Sequence, residues 1–211
     1  MQMNMPSAST ASQKRSYRLG ARADGIRLTR ERILDAVGEA LTTRWYDELT
    51  FAELARAAGV SGPTLTNHFG DKRGLLAAYA RERMSEKISG LRYSVDPGDI
   101  SGAIHVLLDD YEQSGDMIIR VLALEHRFPD LTEVLAVGRA GHRAWVTYIF
   151  EPYLPPRGRR REDAITRLVA CTDVYAWQLL RRDLGQSRTA TRNHLLATVD
   201  AVVASLKERT A

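Results

Sequence analysis

The segment from Thr50 to Phe69, TFAELARAAGVSGPTLTNHF, leaves little freedom in how it folds. Thr50 and Glu53 have the spacing of a capping box, in which the hydroxyl takes the amide three residues on and the carboxylate reaches back. Phe51, Leu54, Ala55 and Ala58 then share one helical face. Gly59 ends that helix, because a residue without Cβ takes the positive φ of a tight turn at no steric cost. Val60 packs, Ser61 caps a second helix, and Pro63 lies in its first turn, where a missing N–H is harmless. Ala55 is small and Gly59 follows four residues later, as close packing of two short helices requires. The spacing predicts a helix-turn-helix over 50–69.

The remaining chain is also read as helical. Ile33, Leu34, Val37 and Leu41 predict a first helix from an N-cap at Thr29 to about Arg44. Leu75, Leu76, Tyr79 and Met84 predict another after the break at Gly70-Asp71. Beyond Asp96-Pro97-Gly98, helices are expected near 99–113, 115–127, 130–152, 162–184 and 188–207, and no stretch alternates at strand spacing. The fold class is therefore all-α. The last two helices carry wide apolar stripes: Ile165, Leu168, Val169, Thr172, Ala176, Leu179 and Leu180 on one, and Leu195, Val199, Val202 and Leu206 on the other, with Leu196 and Val203 on an adjacent row. Such a hairpin either pairs with a second copy as a four-helix bundle or packs on its own subunit.

Composition narrows the function classes. At 211 residues, 44% hydrophobic and 27% charged, the chain is long enough for one large domain or two smaller ones with a core. No apolar run approaches the roughly 20 residues that span a bilayer, and the first 30 residues lack the apolar region of a secretory leader. Cys171 is the single cysteine, which excludes an internal disulfide and suits a reducing cytoplasm. Residues 1–30 hold six basic side chains against Asp24 alone, a balance of +5, so the other 181 residues sum to −1. Residues 1–26 read as a disordered basic arm carrying Arg15, Arg18 and Arg22, either a polyanion-seeking tail or a solvated leader.

The second helix of the motif would present Ser61, Thr64, Thr66, Asn67 and His68, short hydrogen-bonding groups, with Leu65 and Phe69 inward. A major groove about 12 Å wide admits one such helix. The run from Thr29 to Leu76 resembles the DNA-binding domain of the TetR family of bacterial transcription regulators. The resemblance rests on Thr29-Arg30-Glu31-Arg32-Ile33-Leu34-Asp35-Ala36, Ala55-Arg56-Ala57-Ala58-Gly59-Val60-Ser61, Thr64-Leu65, His68-Phe69, and Lys72 before Leu75-Leu76. It implies a three-helix DNA-binding head (27–87) and a helical effector-binding and dimerisation body (88–211). It further implies a cytoplasmic homodimer, formed through helices 162–184 and 188–207, that binds a palindromic operator as a repressor and is released by a small molecule.

By the same resemblance, Thr50 sits where a phosphate meets a helix N-terminus. Thr64 and Asn67 occupy base- or backbone-contacting positions, His68 a position beside the backbone, and Lys72 a phosphate contact. Gly62-Pro63 departs from a frequent Lys-Gly, and Thr66 from an aromatic that reaches the backbone. The arm could compensate by following the minor groove. For the effector, Tyr111, Trp145, Tyr148 and Trp177 are the expected lining, suggesting an apolar or aromatic molecule, although aromatics at helical spacing also serve as plain core. His105, His126 and His142 are scattered, so neither a metal nor another cofactor is expected. No GxxxxGK[ST], HExxH or GxSxG signature supports an enzyme. A helical enzyme and an architectural DNA-binding protein without effector are the alternatives.

Overall fold

The computed structural model describes residues 8–85 and 90–208, apart from the side chains of 8–21, 84, 85, 130 and 208. Every regular element among the described residues is helical. The N-terminal part comprises α1 (Ala8–Thr43), α2 (Phe51–Ala57), α3 (Gly62–Phe69) and α4 (Lys72–Tyr79), the last running on into a π-helical turn, Ala80–Ser85. The C-terminal part comprises α5 (Ile100–Ala123), α6 (Asp130–Phe150), α7 (Arg159–Thr172), α8 (Val174–Gln178, with a π-helical turn Leu179–Asp183) and α9 (Arg188–Glu208). None of these helices is long and apolar enough to cross a membrane.

Local signals in the first part act as their chemistry dictates. Thr50 Oγ1 accepts from the Glu53 amide at 3.1 Å, and Glu53 Oε2 accepts from the Thr50 amide at 2.8 Å, closing the capping box. Gly59 takes φ 63°, and the Ser61 hydroxyl accepts from the Thr64 amide at 3.2 Å. Ile33, Leu34, Val37 and Leu41 are all buried, as their spacing requires.

Four helix boundaries differ from the sequence expectation. The first helix begins at Ala8, not Thr29, so the arm expected to be disordered is helical over 8–26; residues 1–7 lie outside the described residues. Ala, Gln, Lys and Arg extend a helix already nucleated downstream, because each added residue gains a hydrogen bond without a new nucleation cost. The helices expected at 99–113 and 115–127 are one, α5: Ser114 Oγ folds back onto the Asp110 carbonyl at 2.9 Å, and Gly115 stays helical because the Trp177 ring occupies the place of its side chain. The helix expected at 130–152 stops at Phe150, where a 3-10 turn containing Pro152 follows. The helix expected over 162–184 breaks at Asp173 (ψ 155°), whose carboxylate caps the Tyr175 amide at 3.0 Å.

Two apolar cores are stacked along α5. One gathers Leu34, Leu54, Leu65 and Leu75 with Met117 and Val121 of α5. The other gathers Ile104, Leu107, Trp145, Leu168, Trp177 and Val199. A helix of 24 residues spans roughly 36 Å, enough to serve both. Arg120 of α5 donates to the carbonyls of Leu41 (2.8 Å) and Thr42 (2.6 Å), satisfying the open end of α1 with a cation placed at its negative pole. Arg30 of α1 forms a two-pronged pair with Glu82 at 2.9 and 2.7 Å. Of the stripes on the last two helices, Ile165, Leu168, Thr172, Leu195, Val199 and Val203 are buried within the same chain. Val169, Leu196 and Val202 are half-buried, and Leu179 is exposed.

Candidate nucleic-acid interface and internal cavity

Helix α3 has a buried back and an open front. Leu65 and Phe69 face the first core, while Ser61, Gly62, Pro63, Thr66 and Asn67 are exposed. Thr64 and His68 are half-buried. The Thr64 and Ser61 hydroxyls lie 2.8 Å apart, so the cap orients the threonine side chain. Arg30 stacks over Phe69, 4.4 Å from guanidinium carbon to ring centroid, and donates to the His68 carbonyl at 3.1 Å, fixing the end of α3 against α1. The front therefore projects short donors and acceptors from a backbone held on three sides, a shape suited to base edges in a groove.

The flanking positions are less free than their sequence positions suggest. The Thr50 hydroxyl donates to Glu53 Oε2 at 2.7 Å, and that bond, with the Thr50 amide, holds the Glu53 carboxyl down at about 2. Arg44 donates to the other oxygen of this carboxylate at 3.2 Å, so the Thr50 hydroxyl is engaged by a group that is itself paired. Lys72 Nζ donates to the Tyr46 carbonyl and lies 4.0 Å over the Tyr46 ring centroid, and burial lowers its pKa. In this position the ammonium is turned to the carbonyl of its own chain. Arg56 and Arg73, at the end of α2 and the start of α4, are exposed and make no ion pair among the described residues; neither lies in the recognition helix, and no local spacing marks them. Arg22 is exposed, and the side chains of Arg15 and Arg18 lie outside the described residues.

A cavity of about 240 Å³ lies where α1, α4, α5 and α6 meet. Leu41, Leu76 and Tyr79 close it on the N-terminal side, Met117 and Val121 line it from α5, and α6 contributes a face that includes Gly138, Gly141 and Trp145. Of the four aromatics expected there, Tyr111 and Trp145 line it; Tyr148 and Trp177 do not. Tyr148 packs on Tyr93 at 5.0 Å between centroids, and Trp177 is fully buried over Gly115, its indole N–H donating to Glu112 at 3.0 Å. Tyr79, Tyr93 and Arg92 were not anticipated. Tyr79 belongs to an apolar stripe that reads as plain core, and Arg92 stands just before the turn-rich stretch 93–98, where no periodic signal marks it.

One wall of the cavity is a buried polar network. Arg92 donates Nε and NH2 to Asp110 Oδ2 at 3.1 and 2.7 Å, and its NH1 to His142 Nδ1 at 3.0 Å. An arginine only donates, so His142 Nδ1 accepts, and Nε2–H faces the Thr172 hydroxyl at 3.1 Å. Burial, and then the Arg92 charge, push the His142 pKa down to about 3, which keeps the ring neutral. Tyr111 donates to the Thr172 carbonyl at 3.0 Å, and Trp145 to the Arg92 carbonyl at 3.1 Å. The network ties α5, α6 and the end of α7 to the segment that follows α4.

With this geometry in hand, the similarities are specific. Residues 33–79 match the family model described as bacterial regulatory proteins, tetR family. The HTH-type transcriptional regulator AlkX of Mycobacterium tuberculosis is 30% identical over 144 residues, 65% of this chain and 66% of that protein, so about a third of each lies outside the match. Among solved structures, a TetR-family transcriptional regulator from Rhodococcus sp. superposes with a TM-score of 0.67 at 21% identity, over 83% of this chain and 98% of that one. A transcriptional regulator from Saccharomonospora viridis in complex with choline superposes with a TM-score of 0.59 at 17% identity, over 81% of this chain and 95% of that one. At such identities the superpositions show the fold.

Proposed function

The chain belongs to the TetR family of bacterial regulatory proteins, and from that premise we propose that it is a repressor that binds a palindromic operator as a dimer and is released by a small molecule. Family membership sets aside the helical enzyme. The observation that carries the reading is the open front of α3, five exposed short residues on a helix whose back is fully packed. In this reading residues 27–87 form the DNA-binding head, with Ser61, Thr64, Thr66 and Asn67 toward the bases and Thr50, His68 and Lys72 toward the backbone. Residues 88–211 form the effector-binding and dimerisation body.

The cavity supports the effector half of the reading. Its walls include Leu41 of α1 and Leu76 of α4, so an occupant touches the helices that carry α3. A ligand shifts DNA affinity only by its differential affinity for the two states, and the effect is reciprocal: inducer weakens DNA binding and DNA weakens inducer binding by the same factor. Dimerisation through residues 162–184 and 188–207, which fall in α7, α8 and α9, would use the side of those helices turned away from the chain's own core, with two α3 helices about 34–36 Å apart, one turn of DNA.

A protection assay on the DNA upstream of the protein's own gene tests this. A discrete palindromic footprint is the expected result. Uniform coverage would favour an architectural protein instead, and no retardation at low salt would remove the DNA-binding reading.

A further inference from the structure

The cavity's polar walls carry information about its occupant, beyond its apolar lining. Arg92 has a side chain 6% exposed and is neutralised by Asp110. Its guanidinium carbon lies 5.3 and 5.2 Å from the Tyr111 and Trp145 ring centroids, so the protein's own cation already occupies the inner aromatic faces. A cationic ligand would meet a like charge where an aromatic cage would otherwise receive it. An anionic ligand would have to draw Arg92 from Asp110 and leave a buried carboxylate unpaired, a costly arrangement. At the mouth, Arg139 is paired with Glu125, and Asp173 uses an oxygen as the cap of α8. The buried charges of the wall are thus paired with one another; Asp173, half-buried on the lining, makes no ion pair among the described residues and meets only the Tyr175 amide, so a cation is opposed by Arg92 at the inner faces alone.

The neutral donors of the buried wall are engaged as well, apart from Tyr79; Tyr93 and Tyr175, also on the lining, are exposed side chains. Tyr111, Trp145 and His142 all have oxygen or nitrogen partners. The Tyr79 hydroxyl instead faces Met117 Sδ at 3.9 Å, a weak acceptor. Its ring is held in place: a Cβ on Gly38 of α1 would lie 2.9 Å from Tyr79 Cε2, so the tyrosine occupies the space that glycine leaves. A fixed phenol on a cavity wall, with a poor partner, is a preorganised donor. A ligand oxygen would exchange a long O–H···S contact for a normal hydrogen bond.

Resting on the effector-pocket reading above, we propose that the cavity selects an uncharged, largely apolar molecule carrying a hydrogen-bond acceptor, and that Tyr79 of α4 reads that acceptor. A cavity of 150 Å³ holds benzene, so this one suits a molecule of about ten heavy atoms.

The test is calorimetric titration of the full chain and its Tyr79→Phe variant with propiophenone, butylbenzene, benzyltrimethylammonium and 3-phenylpropanoate. Propiophenone binds the wild-type chain at least tenfold more tightly than either ion. Tyr79→Phe weakens propiophenone about three- to tenfold, the value of one hydrogen bond, and leaves butylbenzene within twofold, which also shows that the variant cavity is intact. Equal changes for ketone and hydrocarbon, or tighter binding of either ion, overturn the proposal. Failure of all four to bind the wild-type chain overturns the effector-pocket reading beneath it, while a discrete operator footprint would still stand.

Discussion

His142 illustrates how far packing alters a single side chain. Its ring is neutral in the fold because burial and Arg92 disfavour its proton, whereas the unfolded chain binds that proton below about 6.5. Stability from this group is therefore complete above pH 6.5 and falls as the pH drops toward 3. Between pH 6.5 and 5, above the range where carboxylates titrate, the loss should be about 2 kcal/mol. Urea unfolding across that window should show the slope in the wild-type chain and a shallower one in His142→Gln, which keeps a donor and an acceptor. On the outer surface, Thr64→Ala and Asn67→Ala should each reduce discrimination between operator and scrambled DNA by about 1–3 kcal/mol if they meet base edges. Competition binding at fixed salt measures it, with the dimer unchanged by sedimentation; unaltered discrimination in both would move the recognition surface elsewhere. The position of Thr64 and Asn67 away from the core side of α3 is legible in sequence because a helix-turn-helix fixes their register. That of Tyr79 is not, since an aromatic on an apolar stripe looks the same in sequence whether it faces a core or a void.

At the scale of elements, short-range chemistry was readable and interruptions were not. The caps at Thr50 and Ser61 and the turn at Gly59 depend on groups within three or four residues, and they appear where expected. Ser114-Gly115 looked like a break because both residues are poor helix formers. What keeps α5 whole is Trp177, more than sixty residues away, whose Cζ3 would lie 2.5 Å from a Cβ on Gly115. A Cβ on Gly138 of α6 would have nothing within 4 Å. The two glycines should thus respond oppositely to alanine: Gly115→Ala destabilises by about 1–3 kcal/mol through overpacking, and Gly138→Ala stabilises by up to about 1 kcal/mol through helix propensity. Denaturant midpoints of the two variants decide it. The break at Asp173 is the converse, a helix-compatible sequence interrupted where a carboxylate caps the next turn.

For the molecule as a whole, α5 is the shared wall of both cores, and Arg120 fastens it to the end of α1. The extension of α1 before Thr29 carries Arg15, Arg18 and Arg22 and lies far from that anchor in sequence. Deleting residues 1–26 should weaken operator binding and flatten its dependence on salt, the slope in log–log form falling by about 0.9 for each phosphate that the arm no longer neutralises. Titrations at several salt concentrations give the slope, and an unchanged value would show that the arm leaves DNA alone.

The amino-acid sequence by itself determined the all-helical class, the helix-turn-helix with its outward register, and the family. Each follows from patterns within a few helical turns, where backbone hydrogen bonding and side-chain periodicity act locally. The tertiary structure decided which aromatics border a void, which charges are neutralised and how deeply each apolar stripe is buried in the chain's own core. Those depend on how helices distant in the chain rotate and settle against one another, and no local spacing encodes the gap left between them.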